Sequence, residues 1–120
     1  MNAPRLLATA ALFAATAFGA AQATDPGAVV ASVRAAADAA DNQLVDQRRA
    51  VWERLDAAQK ASFARTERAW LNGGRTEEEG TCLASAPAPT LLAEQTCRLH
   101  VTERHLAILT APIVQASAER

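Results

Sequence analysis

The residues of this chain with evident chemical potential are few: two cysteines, two histidines and a run of three glutamates. Cys82 and Cys97 enclose 14 residues. In an exported chain such a pair predicts a disulfide, which in a chain-entropy model contributes about 3 kcal/mol. The competing chemistry is a metal site built from Cys82, Cys97, His100 and His105. It lacks a Cys-x-x-Cys pair, and histidines five apart do not share a helix face, so the disulfide is the better expectation. Neither cysteine sits in a close-spaced redox motif. His100 and His105 are expected as ordinary helix-surface residues. No serine stands in a nucleophile-elbow context, and no carboxylate pair is set for acid–base work. The prediction is a protein without catalytic residues, metal or cofactor, one that acts by binding.

The elements that must position these groups are helical. Asp25-Pro26 is a helix start, with Asp as N-cap and Pro at the first helical position. Val30, Val33, Ala37, Ala40, Leu44, Val51 and Leu55 then recur at three- and four-residue steps, with Trp52 beside them. This pattern predicts one long helix over 26–55, with Asn42 as the place where it would break if it breaks. Arg48 intrudes on the stripe, where its stem can lie along apolar surface with its head in water. Asp56 and Gln59 form a capping-box pattern, so a second helix is predicted over 57–71. Phe63 and Trp70 share its inner face, with Trp70 in the core and Lys60, Arg65, Glu67 and Arg68 solvated. Asn72-Gly73-Gly74 should end it through a left-handed glycine cap. Residues 75–89 then read as the longest loop. Thr90 caps a third helix with Leu92, Leu99, Thr102, Leu106, Leu109 and Ile113 on one face, ending near Thr110 before Pro112. Residues 115–120 should fray. The fold class is all-α, a small helical bundle of about three helices with one disulfide.

The first 23 residues read as a signal peptide: Arg5, an apolar stretch from Leu6 to Phe18, and the small-x-small pattern Ala21-Gln22-Ala23. Cleavage there leaves residues 24–120 as one domain beginning at Thr24. Loss of Arg5 leaves 11 basic and 13 acidic residues, a formal charge of −2. That balance argues against nucleic acid as a partner, and no later run is apolar enough for a membrane helix. The expected location is periplasmic or secreted. The sequence leaves the oligomeric state open.

Leu55-x3-Gln59-x3-Phe63-x4-Arg68-Ala69-Trp70-Leu71, then Cys82, then Cys97-x4-Thr102 with a following basic residue, resembles the LprI-type lysozyme-inhibitor domain over roughly residues 41–109. Departures are Val45 and Arg48 in the first-helix motif, the absence of further cysteines, and a longer segment between Trp70 and Cys82. The basic residue after the threonine falls at Arg104 or His105. The resemblance implies a small exported helical domain whose partner is a lysozyme. A lysozyme cleft works with two carboxylates, which an inhibitor can engage with donors while excluding the glycan. On that expectation Arg75 is the donor, and Glu77, Glu78 and Glu79 favour encounter with a basic lysozyme. Alanine at these four positions should leave the fold nearly unchanged. The alternative is a structural or accessory envelope protein that binds another periplasmic protein through the helix face around Trp52.

Overall fold

The computed structural model describes residues 25–111; the expected signal peptide, Ile113 and the tail lie outside them. Helix α1 spans Pro26–Glu53 without a break at Asn42. The Asp25 side chain accepts from the Gly27 backbone, and Pro26 occupies the first turn, as the sequence predicts. Helix α2 spans Ala57–Ala69 behind a complete capping box. Asp56 accepts from the Gln59 backbone at 2.8 Å, and the Gln59 side chain accepts from the Asp56 backbone at 2.9 Å. These reciprocal bonds satisfy N–H groups that the first turn would otherwise leave unpaired.

The chain does not leave the helix at the glycines. Trp70–Gly74 form a π-helical turn that runs directly into α3, Arg75–Ala84. The expected long loop over 75–89 is therefore wrong for most of its length. Gly74 lies in the right-handed helical region (φ −57°, ψ −42°), not in a left-handed cap. The Arg75 N–H reaches back five residues to the Trp70 carbonyl, the bond that defines a π turn. A Cβ on Gly74 would meet Trp70 Cδ1 at 3.4 Å, an ordinary van der Waals contact, so neither size nor a left-handed φ requires glycine here. After the short connection that follows Ala84, Thr90 accepts from the Ala93 backbone and starts α4, Leu91–Thr110. Ala111 is extended, as expected of a residue before proline.

With α2, the π turn and α3 counted as one rod, the bundle has three rods and no strand among the described residues. Asp38 and Asp41 meet Arg98 and Thr102, while Val51 and Leu109 line one groove farther along, so α1 and α4 run parallel. Arg48 meets Glu67 and Asp41 meets Arg75, so the middle rod runs antiparallel to both. The core gathers Leu44, Trp70, Val101 and Leu109, with Phe63 and Leu106 packed against it. Leu44 and Val101 are each 1% exposed, burial that stabilises by about 1.5–3 kcal/mol per side chain. The buried seam of α4 is Cys97, Val101, Thr102, His105 and Leu109, whereas Leu92 is exposed. The seven-residue leucine repeat thus misplaces the start of the seam. The true seam steps by four, the near-period of an α-helix.

Cys82 and Cys97 are joined, with Cα atoms 5.7 Å apart, tying α3 to α4. The two sulfurs bond each other, so the alternative metal site has no thiolates to offer. No helix among the described residues is long and apolar enough to cross a membrane. The bundle thus has a stapled end, held by the disulfide, and an end formed by the α1–α2 turn.

Candidate functional site

At the stapled end a charged network closes over the seam. The Thr102 hydroxyl donates to Asp41 Oδ1 at 3.0 Å, and Arg98 donates to Asp41 Oδ2 and Asp38 at 2.6 Å each. Arg75 supplies the middle rod's share. Its Nη2 donates to Asp41 at 2.8 Å and to Thr102 at 2.9 Å, and its Nε to Glu79 at 3.0 Å. Burial alone would raise the Asp41 carboxyl, but the bonds from Arg98, Arg75 and Thr102 outweigh it and hold its pKa below the ordinary value. The Arg75 guanidinium is likewise pushed up, its bonds to Asp41 and Glu79 overcoming desolvation. The π turn makes this possible. The extra residue in the turn brings Arg75 round to the face of Trp70, with its Cζ 5.4 Å from the ring centroid.

Deeper in the bundle, Trp70 is 8% exposed and is the central ring, as expected. His105 stacks on it, centroids 3.8 Å apart and planes within 7°. His105 Nε2 lies 2.9 and 3.0 Å from the two Glu67 oxygens, and Arg48 Nε donates to Glu67 at 2.6 Å. Burial would raise the Glu67 carboxyl, yet the bonds from His105 and Arg48 hold it below its ordinary value. An ionised Glu67 can only accept, so Nε2 of His105 carries its hydrogen. Three expectations are corrected here. Glu67 and His105 are each 6% exposed rather than solvated, and the Arg48 head is drawn inward to Glu67 rather than left in water. Arg48 Nη2 is buried without a hydrogen-bond partner, and the Trp70 face, 5.6 Å from Cζ, is its electron-rich neighbour.

Sequence alone could have found this pair. Glu67 lies four residues after Phe63 and three before Trp70, and His105 lies midway between Val101 and Leu109, so both fall on inner faces. What hid them is that each is polar and becomes tolerable only in the presence of the other. Among the described residues the His–carboxylate pair bonds no hydroxyl or thiol. Ser62 and Thr66 line the adjoining groove, but among the described residues Thr66 Oγ1 donates to the Ser62 carbonyl at 3.1 Å, and neither hydroxyl bonds His105.

The four residues expected to meet a partner are dispersed along α3. Arg75 is half-buried in the network above. Glu79 is its i+4 partner. Glu78 accepts from Trp70 Nε1 at 3.1 Å and lies 3.9 Å from Arg104. Glu77 is the exposed one of the four. The segment is thus a helix rather than a glycine-flanked loop, and the Arg75 donors point into the bundle.

Exposed apolar side chains are spread over the bundle, with Val45, Leu71, Leu91 and Leu92 among them, but at the opposite end Trp52 and Ile108 border grooves. Trp52, 41% exposed at the end of α1, tilts against Phe63 of α2 with centroids 6.5 Å apart. Lys60 Nζ lies 5.4 Å over the Trp52 ring. A shallow groove of about 350 Å³ runs along one side of Phe63, between Arg48, Arg49 and Trp52. A second groove, about 320 Å³, opens on its other side among Val51, Leu55, Phe63, Ile108 and Leu109, with Glu67 and His105 at its polar wall. Ile108 is 52% exposed. Family models, curated proteins and solved structures yield no match to the chain.

Proposed function

We propose that this domain is an exported binding protein that blocks a lysozyme cleft, as the LprI-type resemblance implies, and that its working surface is the α1–α2 corner. The observation that carries the choice of surface is the exposed Trp52 against half-buried Phe63, flanked by Arg49, Lys60 and two grooves. Trp and Arg are the side chains that most often anchor protein interfaces, because they combine large apolar area with directed donors. A cleft that hydrolyses glycosides presents carboxylates beside a sugar-binding surface. A cationic, aromatic corner has the matching chemistry, and its bulk would exclude the glycan.

In this reading Arg75, Glu78 and Glu79 serve the bundle's internal framework through their bonds to Asp41, Thr102 and Trp70. The corner itself is helical and closed by the Asp56–Gln59 capping box, and such an ordered element loses little conformational entropy on docking. The purified, oxidised domain should slow muramidase-driven clearing of a cell-wall suspension in a dose-dependent way. Clearing at the uninhibited rate with an excess of domain over enzyme, for both animal-type and bacteriophage-type muramidases, would overturn the lysozyme reading.

A further inference from the structure

Charge along this chain is segregated. Residues 48–68, which build the α1–α2 corner and α2, hold six basic and three acidic residues. The other described residues, 25–47 and 69–111, hold four basic and nine acidic ones. The corner stretch is therefore +3 and the remainder −5, although the chain as a whole is near neutral. One of the three acids in the corner stretch is neutralised internally. Glu67 is buried between Arg48 and His105, and Asp56 accepts the Gln59 backbone N–H in its capping box. Glu53 and Asp56 are the corner's exposed counter-charges, against exposed or half-buried Arg49, Arg54, Lys60, Arg65 and Arg68.

This positive stretch coincides with the two grooves. Arg49 borders the groove beside Trp52, Lys60 sits over the Trp52 ring, and the second groove is walled by Val51, Leu55, Phe63 and Ile108. We infer that the corner docks an acidic segment of another protein, one that presents an apolar anchor side chain next to carboxylates. The anchor enters the groove between Phe63 and Ile108, and the carboxylates face Arg49 and Lys60. Charge complementarity selects this occupant, since a basic segment would meet like charge at both cations. A groove of about 320 Å³ accommodates side chains rather than a domain, which matches a short segment with one or two anchors. The inference rests on the corner being the binding surface, as proposed above, and specifies what that surface recognises.

The test uses the full mature domain and three synthetic helical peptides, read by the two indole N–H resonances in a ¹H–¹⁵N spectrum. One peptide carries leucine and phenylalanine on one face with glutamates flanking it. The second has lysine in place of glutamate, and the third has the acidic composition in scrambled order. The acidic amphipathic peptide should shift the Trp52 indole signal saturably, leaving that of Trp70, which is buried and bonded to Glu78. The lysine and scrambled peptides should bind at least tenfold more weakly. The double variant Arg49→Glu, Lys60→Glu should reverse the preference between acidic and lysine peptides, with the unmoved Trp70 signal reporting an intact fold. Equal binding of all three peptides, or no shift of the Trp52 signal by any, would overturn the inference. So would a concentration-dependent dimer, seen by sedimentation, that the double variant dissolves, because the occupant would then be a second copy. Peptide binding without muramidase inhibition would sink the lysozyme reading and leave this inference standing. Muramidase inhibition unaffected by the double variant would sink the inference alone.

Discussion

The two ends of this bundle solve opposite problems with the same kinds of residue. At the stapled end, arginines and acids from α1, α3 and α4 meet one another, so that Asp41 receives Arg75, Arg98 and Thr102 together. At the α1–α2 corner, Arg49 and Lys60 stand beside an exposed tryptophan and an open apolar groove. The tryptophans divide in the same way. Trp70 is stacked on His105 and bonded to Glu78, whereas Trp52 rests on Phe63 with much of its ring in solvent. A side chain whose partners are all internal holds a fold, and one whose partners are incomplete is available to something else. The residues on which the resemblance was drawn fall on both sides of this division: Trp70, Cys82, Cys97 and Thr102 in the framework, Leu55, Gln59 and Phe63 at the corner.

The sharpest way to break the comparison is to empty the centre of the framework. Trp70→Ala should cost about 3–5 kcal/mol in urea unfolding, since it removes a buried aromatic and strips His105 of its stacking partner. A loss under about 1 kcal/mol would mean that Trp70 is no more structural than Trp52. Arg75→Ala should come next, at about 2 kcal/mol, the range for hydrogen bonds to charged groups. A melting temperature unchanged in that variant would return Arg75 to the surface role that its position after two glycines suggests.

Acid should also act on the framework more than on the corner. The folded pKa values of Asp41 and Glu67 lie below their ordinary values of 3.8 and 4.5. Their contribution to stability is then full above that ordinary range and is lost as pH falls through the lowered folded values. Urea midpoints measured from pH 7 down to pH 3 should decline at the acid end, and Glu67→Gln should flatten part of that decline. A wild-type midpoint independent of pH over this range would contradict the network's role. The smallest effect is expected at the corner, where Trp52→Ala should change stability by less than about 1 kcal/mol because the ring is far from fully buried.

What was legible in the sequence was what local chemistry determines. Asp25-Pro26, the Asp56–Gln59 box and Thr90 each mark a helix start through bonds that span two or three residues, and each is found where expected. The disulfide and the inner face of α1 were legible for similar reasons. What was not legible depends on distant partners. Gly73-Gly74 carries a strong stop signal, yet the helix continues through it. Arg75 on the continued helix reaches Asp41 and Thr102, 34 and 27 residues away. Those bonds, with the Trp70 contact, favour helical continuation over the left-handed turn that glycine permits. Glu67 and His105 are 38 residues apart, and neither looks buried until the other is placed beside it. The loop expected over 75–89 did not form for the same reason: residues rich in charge and glycine resemble a solvated loop unless their ionic partners are known.

The division between framework and corner is tested most directly by comparing the wild type with Trp52→Ala in the muramidase clearing assay, with thermal melts of both recorded alongside. The expected result is inhibition by the wild type, loss of at least tenfold in potency for Trp52→Ala, and nearly coincident melts. Equal inhibition by the two proteins would show that the corner is not the working surface and would contradict the account at its centre.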